Sequence, residues 1–281
     1  MPLLENPHQL ISDLYDKKAA LGAFNLVDVD TVLGALDAAE ELDQPIIIQT
    51  SESLVKYYSA ANLFSMFNNA IARYKIPVIL HLDHSSNLKI IKDCLEAGWN
   101  SVMVDGSHLP LEDNIVLSNK VIDLAKQYGA LVECELGPIL GEEDGAATSS
   151  SYDPLTKEVI SKYMTEVKPD MLALGIGNKH GFYEQGGLNK LDISLLDVAR
   201  DISATPLVLH GGTGIPDDFV LETIKKGVIK VNVSTELKKV YFETYKNWVE
   251  ENKLNIPQVK KEIRSNLKVV VKEYLRKFYR V

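Results

Sequence analysis

Cysteine is nearly missing from these 281 residues: only Cys94 and Cys134 occur, which excludes a disulfide framework and predicts a protein of the reducing cytoplasm. No apolar run reaches the roughly 20 residues that a membrane helix needs. Residues 1–18 lack the apolar core of a signal peptide, so no leader is expected. Basic excess is missing too. A formal charge of −9 argues against nucleic acid or an anionic membrane as partner. A few local donors can still hold a small anionic substrate. Low-complexity tracts and linkers are absent. What is present is ordinary globular composition, 46% hydrophobic and 25% charged, at a length that suits one domain over 1–281 rather than several.

Eight short β-rich runs, at 21–27, 45–51, 77–84, 101–107, 131–137, 171–177, 206–212 and 228–234, alternate with stretches of helical spacing such as Leu111, Ile115, Ile122 and Ala125. Pro45, Pro77 and Pro206 each open a run, where a proline stops the preceding helix and fits a first strand position. Strands alternating with helices in this number predict an α/β chain folded as a (β/α)8 TIM barrel with extra C-terminal helices. A doubly wound open sheet is the alternative, but no glycine-rich turn follows the first run to hold a dinucleotide. Two helical segments follow the last run. The second carries Val259, Ile263, Leu267, Val270 and Tyr274 on one side and Lys260, Lys261, Arg264, Lys268 and Lys272 on the other. That pattern reads as a packed helix with a solvated basic face.

Barrel active sites gather at the C-terminal ends of the strands. Those ends carry Asn25, Ser51, Asp83, His84, Asp105, Glu135, His180, His210 and Asn232. Burying so many ionisable groups is costly unless they are paired or metal-bound. Three imidazoles with an open fourth position make a catalytic zinc set, and a hydrogen-bonded cluster is the blander reading of His84, His180 and His210. His81 alternates with Asp83 and should pack inside the barrel, while His8 and His108 read as segment and loop residues. Gly211, Gly212 and Thr213 follow the seventh run, and Ser234 and Thr235 end the eighth before a helix, the usual barrel place for phosphate. Gly177 and Gly181 flank a further turn. Alternation puts Glu133 and Glu135 on the inward face of the fifth run and Cys134 toward the helices. The stretch 141–151, acidic and then small and polar, is either a solvated loop or a lid that carries an acid or base inward.

The strings HLDH (81–84), SVMVDGSHLP (101–110), VECELGPILGEEDG (132–145), GNKHGFY (177–183), LVLHGGTGIP (207–216) and KVNVSTELK (230–238) resemble the class II, zinc-dependent ketose-bisphosphate aldolases. That family includes fructose-bisphosphate and tagatose-bisphosphate aldolases. The resemblance runs in order from about Gly22 to Leu237. It implies His84, His180 and His210 as ligands of a catalytic Zn2+, and Asp105 and Glu135 at a second divalent or monovalent cation. It implies Asp83 as the acid/base on the hydroxyl at the cleaved bond, and Glu143 as the loop acid that handles the C–H proton. Gly181, Gly211, Gly212, Thr213, Asn232, Val233, Ser234 and Thr235 match contacts to phosphate and dihydroxyacetone phosphate. Asn25 and Ser51 match other substrate-facing positions. A phosphorylated ketose substrate, a place in carbohydrate metabolism such as glycolysis, and a homodimer or homotetramer are implied as well.

Aldol cleavage leaves a carbanion beside a ketone, which is stabilised either by a Lewis-acid metal or by a lysine Schiff base. Lys230 is the strand lysine to consider, but a histidine triad is superfluous to Schiff-base chemistry. The sequence is therefore read as a zinc aldolase that reversibly cleaves a ketose 1,6-bisphosphate, fructose or tagatose, to dihydroxyacetone phosphate and glyceraldehyde 3-phosphate. The alternatives are an aldolase for another phosphorylated sugar or deoxy-keto acid with the same donor product, and a non-catalytic sugar-phosphate-binding subunit. Two departures bear on the acceptor half. The family's Asp-Pro-Arg segment before the last helix is replaced by Asn255, Ile256, Pro257, Gln258 and Val259, and Ser234 stands where many fructose-type enzymes carry Asp or Asn. Arg264, on the basic side of the last helix, is the nearest candidate to grip a distal phosphate, in its own chain or in a neighbouring subunit.

Overall fold

Eight parallel strands close into a barrel in a computed structural model of the chain, which describes residues 3–139, 141–143, 146–148, 155–183 and 191–279, without the side chains of 142, 143 and 146–148. In chain order the strands are β1 (Leu21–Asn25), β2 (Ile46–Ser51), β3 (Val78–Ser85), β4 (Ser101–Val104), β5 (Leu131–Leu136), β6 (Gly141–Glu143), β7 (Ala146–Thr148), β8 (Met171–Leu174), β9 (Leu207–Leu209) and β10 (Val228–Val233). β6 and β7 stand apart as an antiparallel ribbon, and the others close in the order β1-β10-β9-β8-β5-β4-β3-β2. The helices are α1 (His8–Lys17), α2 (Val29–Leu42), α3 (Glu52–Tyr58), α4 (Ala60–Ile71), α5 (Leu88–Ala97), α6 (Leu111–Ala125), α7 (Lys157–Glu166), α8 (Ser194–Ile202), α9 (Asp217–Lys225), α10 (Thr235–Glu250) and α11 (Ile256–Phe278). The expected (β/α)8 barrel with two C-terminal helices is what forms.

Alternation sorts the strand residues. Leu21, Ala23, Ile47, Ile79, Leu131, Met171 and Val208 fill the barrel's lower interior, and Ile11 and Leu14 of α1 close it from below. Their outward neighbours Phe24, Ile48, Leu80, Leu82, Cys134 and Leu172 join the larger core under the helices. Cys134 thus points where the pattern put it. Burial pushes both its thiol and that of Cys94 up to about 12, so neither is a ready nucleophile or ligand at neutral pH. Among the described residues, no helix is long and apolar enough to cross a membrane.

The expected solvated basic face on α11 is corrected by the packing. α11 lies along α2 so closely that a Cβ on Gly34 would stand 2.6 Å from the Arg264 carbonyl oxygen. At that spacing the two charged edges interlock. Lys260 Nζ lies 2.6 Å from Asp28 and 3.1 Å from Asp30, Arg264 grips both oxygens of Asp37 at 2.6 and 2.7 Å, and Lys268 and Lys272 share Glu41. Lysines at i, i+4 spacing found an acidic partner helix that single-helix periodicity does not reveal.

Candidate active site

In a regular pleat neighbouring side chains face opposite ways, so an inward Asp83 demands an outward His84. β3 breaks that rule. Its pairing with β4 shifts register between Leu82 and Ser85, and His84 adopts φ +41°. This bulge turns the imidazole to the same mouth as the carboxylate.

Asp83 is buried and held by three amides. Asn25 Nδ2 donates to its Oδ2 at 2.8 Å, Gln49 Nε2 to the same oxygen at 3.3 Å, and Asn232 Nδ2 to Oδ1 at 3.1 Å. Burial works to raise its pKa, but His84, Lys230, His210 and the Asn25 hydrogen bond together hold it below the usual carboxylate value.

His84 faces two groups at once. Its Nδ1 lies 2.9 Å from Asp105 Oδ2 and 3.7 Å from Glu135 Oε2, and its Nε2 lies 2.8 Å from His210 Nδ1. His180 completes the cluster from the loop after β8, its ring centroid 5.2 Å from that of His84 and 6.2 Å from that of His210. Donor atoms of His84, His180 and His210 lie within 4.8 Å of one another, and so do those of His84, Asp105 and Glu135. These are two candidate cation sites that share one histidine. Asn178, absent from the residues singled out in the sequence, fixes the His180 loop: its Nδ2 donates to the His210 carbonyl oxygen at 3.1 Å and its Oδ1 accepts from the Ile176 N–H at 3.0 Å.

Electrostatics fit cation binding. Burial, then the charges of His84 and Lys230, push the His210 pKa well below 6.5, so its ring is neutral with a lone pair to offer. Burial, then the nearby Asp105 charge, pushes Glu135 well above the carboxylate range. Burial opposes the ionised form of Asp105 as well, yet hydrogen bonds from His84 and Ser107 hold that group well below its usual value. The two carboxyl groups are thus driven apart.

Ser51, Asp83, His84, Asp105, Glu135 and His180 line one cleft of about 360 Å³. Glu52, Ser53, Lys56, Ser86 and His108 line it too and were not anticipated, because helix α3 and the turns after β3 and β4 carry no strand-like pattern. The phosphate candidates lie on the loops after β8 and β9, at the end of β10 and at the start of α10. Gly211 must be glycine: φ is +68° and a Cβ would meet the Lys179 carbonyl oxygen at 2.1 Å. The Gly212 N–H is already donated to the Asn232 carbonyl oxygen at 2.8 Å, and the Val233 side chain is buried under the helices. Thr213 is buried, Gly181 stands in open space at φ +96°, and Thr235 opens α10. Ser234 Oγ is buried with no hydrogen-bond partner among the described residues. Glu143 ends the first ribbon strand, and its side chain lies outside the described residues. Arg264 is not among the residues that line the cleft of this chain; it pairs with Asp37 on the barrel flank.

The sequence pattern described as "Fructose-bisphosphate aldolase class-II" matches residues 5–280. The chain belongs to that family. It is an aldolase, a lyase of carbon–carbon bonds. Solved aldolases share its architecture end to end. The YdjI aldolase from Escherichia coli K12 is 27% identical with a TM-score of 0.82, over 98% of this chain and 97% of that one. A putative fructose-1,6-biphosphate aldolase from Coccidioides immitis is 25% identical with a TM-score of 0.88, over 98% and 96%. The fold also matches the fructose-bisphosphate aldolase from Campylobacter jejuni at 20% identity and TM-score 0.81, over 98% and 95%. Class II aldolases are generally metal-dependent and release dihydroxyacetone phosphate from a phosphorylated sugar.

Proposed function

We propose that this class II aldolase uses zinc on His84, His180 and His210 to cleave a ketose 1,6-bisphosphate, fructose or tagatose, reversibly into dihydroxyacetone phosphate and glyceraldehyde 3-phosphate. The observation that carries the reading is the convergence of three imidazoles, from β3 and from the segments that follow β8 and β9, within 4.8 Å, beside a buried carboxylate. The donor set fits: three nitrogens leave a fourth position open, the pattern of catalytic zinc. Glu135 Oε2, buried without a hydrogen-bond partner among the described residues, supports a second cation shared with Asp105. When bound, the metal supplies Lewis-acid charge beside the ketone oxygen.

The chain's own groups do the rest. Asp83, kept ionised and aimed by Asn25, Gln49 and Asn232, takes the proton from the hydroxyl at the bond that breaks. Ser234 Oγ, Thr235 and Thr213 hold the donor phosphate at the start of α10, and Gly181 and Gly211 let backbone approach it. Ser51 at the α3 N-cap meets the acceptor half. Glu143 returns a proton to the carbon left behind. Glu143→Ala should therefore slow exchange of the dihydroxyacetone-phosphate carbon proton with solvent by at least about 10²-fold, while zinc content stays at the wild-type level. Wild-type exchange in that variant, with loss in Glu142→Ala, reassigns the role to the neighbour. Assembly as a homodimer or homotetramer is part of this reading, and Phe242, Val249, Leu254 and Ile256, all exposed on or between α10 and α11, offer an apolar face for it. So is action in the cytoplasm.

A coupled assay for dihydroxyacetone phosphate release, run on fructose and tagatose bisphosphates, tests the substrate. Release from one of them is the expected result, and release from neither overturns it. A second reading, cleavage of another phosphorylated sugar, is favoured by one feature. Among the described residues lining the cleft, Lys56 is the one lysine or arginine, and it is paired with Glu52 at 2.5 Å. Few cations therefore face a distal phosphate, and a panel of other phosphorylated sugars separates the two readings.

A further inference from the structure

Below the histidines, halfway down the barrel, sit ionisable groups that the proposed chemistry does not use. Glu133, Lys230 and His81 are each 0% exposed. Glu133 Oε1 lies 2.7 Å from His210 Nε2, and its Oε2 lies 2.8 Å from Lys230 Nζ and 3.6 Å from His81 Nε2. His81 turns its Nδ1 to Ser101 Oγ at 2.7 Å. An ion pair this deep is expensive to desolvate, and apolar residues of similar volume usually stabilise a core at least as well. Neighbouring interior positions are filled in that way, by Ile47, Ile79, Met171 and Val208. Stability alone gives no reason for the carboxylate.

The distances to His210 do. A neutral imidazole carries one N–H and one lone pair, and the partner of one nitrogen decides which it carries. A carboxylate 2.7 Å from Nε2 requires the hydrogen there and leaves the lone pair on Nδ1, the atom that faces His84. Asp105 does the same for His84 from the opposite side, at Nδ1, which places that ring's lone pair on Nε2. The two histidines are thus each anchored at the outer nitrogen and meet at the inner ones. We infer that Glu133, charge-balanced by Lys230, is a positioning residue that fixes the tautomer and ring plane of His210 for the metal. This rests on the proposed metal site. It also accounts for Lys230: its ammonium is spent on Glu133 beneath His210, away from a ketone in the cleft.

Two full-length double variants isolate the acceptor from the ion pair. Glu133→Leu/Lys230→Met and Glu133→Gln/Lys230→Met both remove the buried charges, and only the second keeps a carbonyl oxygen that can accept from His210 Nε2. Zinc dissociation constants are measured by competition with a chromophoric chelator, and thermal midpoints are measured on the metal-free proteins. The Leu/Met variant should bind zinc about 10–100-fold more weakly than wild type, and the Gln/Met variant should recover most of that loss. A merely structural role would instead make affinity follow the thermal midpoints. Equal zinc affinity in the two variants, or wild-type affinity in Leu/Met, overturns the inference. A wild-type protein that binds no zinc takes down the metal site itself, and this inference with it.

Discussion

Stripping the protein of divalent metal with a chelator should abolish ketose cleavage, and one equivalent of zinc should restore it. Charge develops on the ketone oxygen as the carbon–carbon bond breaks, and among the described cleft-lining residues Lys56, tied to Glu52, is the lone lysine or arginine to meet it. Lewis-acid stabilisation of that charge is worth several kcal/mol, and each 1.36 kcal/mol is tenfold in rate. The loss should therefore be at least about 10³-fold. Because burial keeps His210 neutral far below pH 6.5, its lone pair is available for reloading throughout the neutral range. Full activity in protein that elemental analysis shows to be metal-free would sink the metal reading. Borohydride with substrate should trap no lysine; a label on Lys230 would revive the Schiff base.

Asp83→Ala should lower kcat by about 10²–10⁴-fold, the usual worth of a positioned acid or base, with zinc content and donor-phosphate affinity kept. The carboxylate is buried, accepts from three amides, and touches the histidine cluster through none of its direct hydrogen bonds. Its removal should spare the ligands, although Asn25 and Asn232 each lose an acceptor. Zinc analysis beside the kinetics decides the matter. If zinc leaves with the activity, Asp83 belongs to the support of His84 rather than to the chemistry.

Much of this was legible in the sequence, and the exceptions have physical causes. All eight barrel strands showed, because each carries an apolar outward face that packs under the helices. Their ends were overrun: 101–107 and 206–212 stop pairing at Val104 and Leu209, since small residues such as Gly106 and Gly211 continue the look of a strand after the ladder has ended. The histidines and carboxylates at the mouth could be found because polar residues finishing apolar strands stand out. Glu133 was placed inward by alternation, but its partners come from β9 and β10, and no local pattern records them. Lys56 and His108 were invisible as cleft residues because nothing in the spacing tells which way a loop or a short helix turns. The partner of Arg264 was hidden for a similar reason: Asp37 is 227 residues away in sequence.

The left-handed backbone at His84 sets foldability against activity at a single position. Glycine occupies φ +41° at lower cost than any residue with a Cβ, and a non-glycine residue there carries strain of order 1–3 kcal/mol. A histidine is retained where the backbone alone would choose glycine, and it is the one residue common to both candidate cation groups. Selection for thermal robustness without selection for turnover would therefore erode the enzyme first at this residue. A consensus or stability-driven redesign of this barrel should hold position 84 fixed before any other.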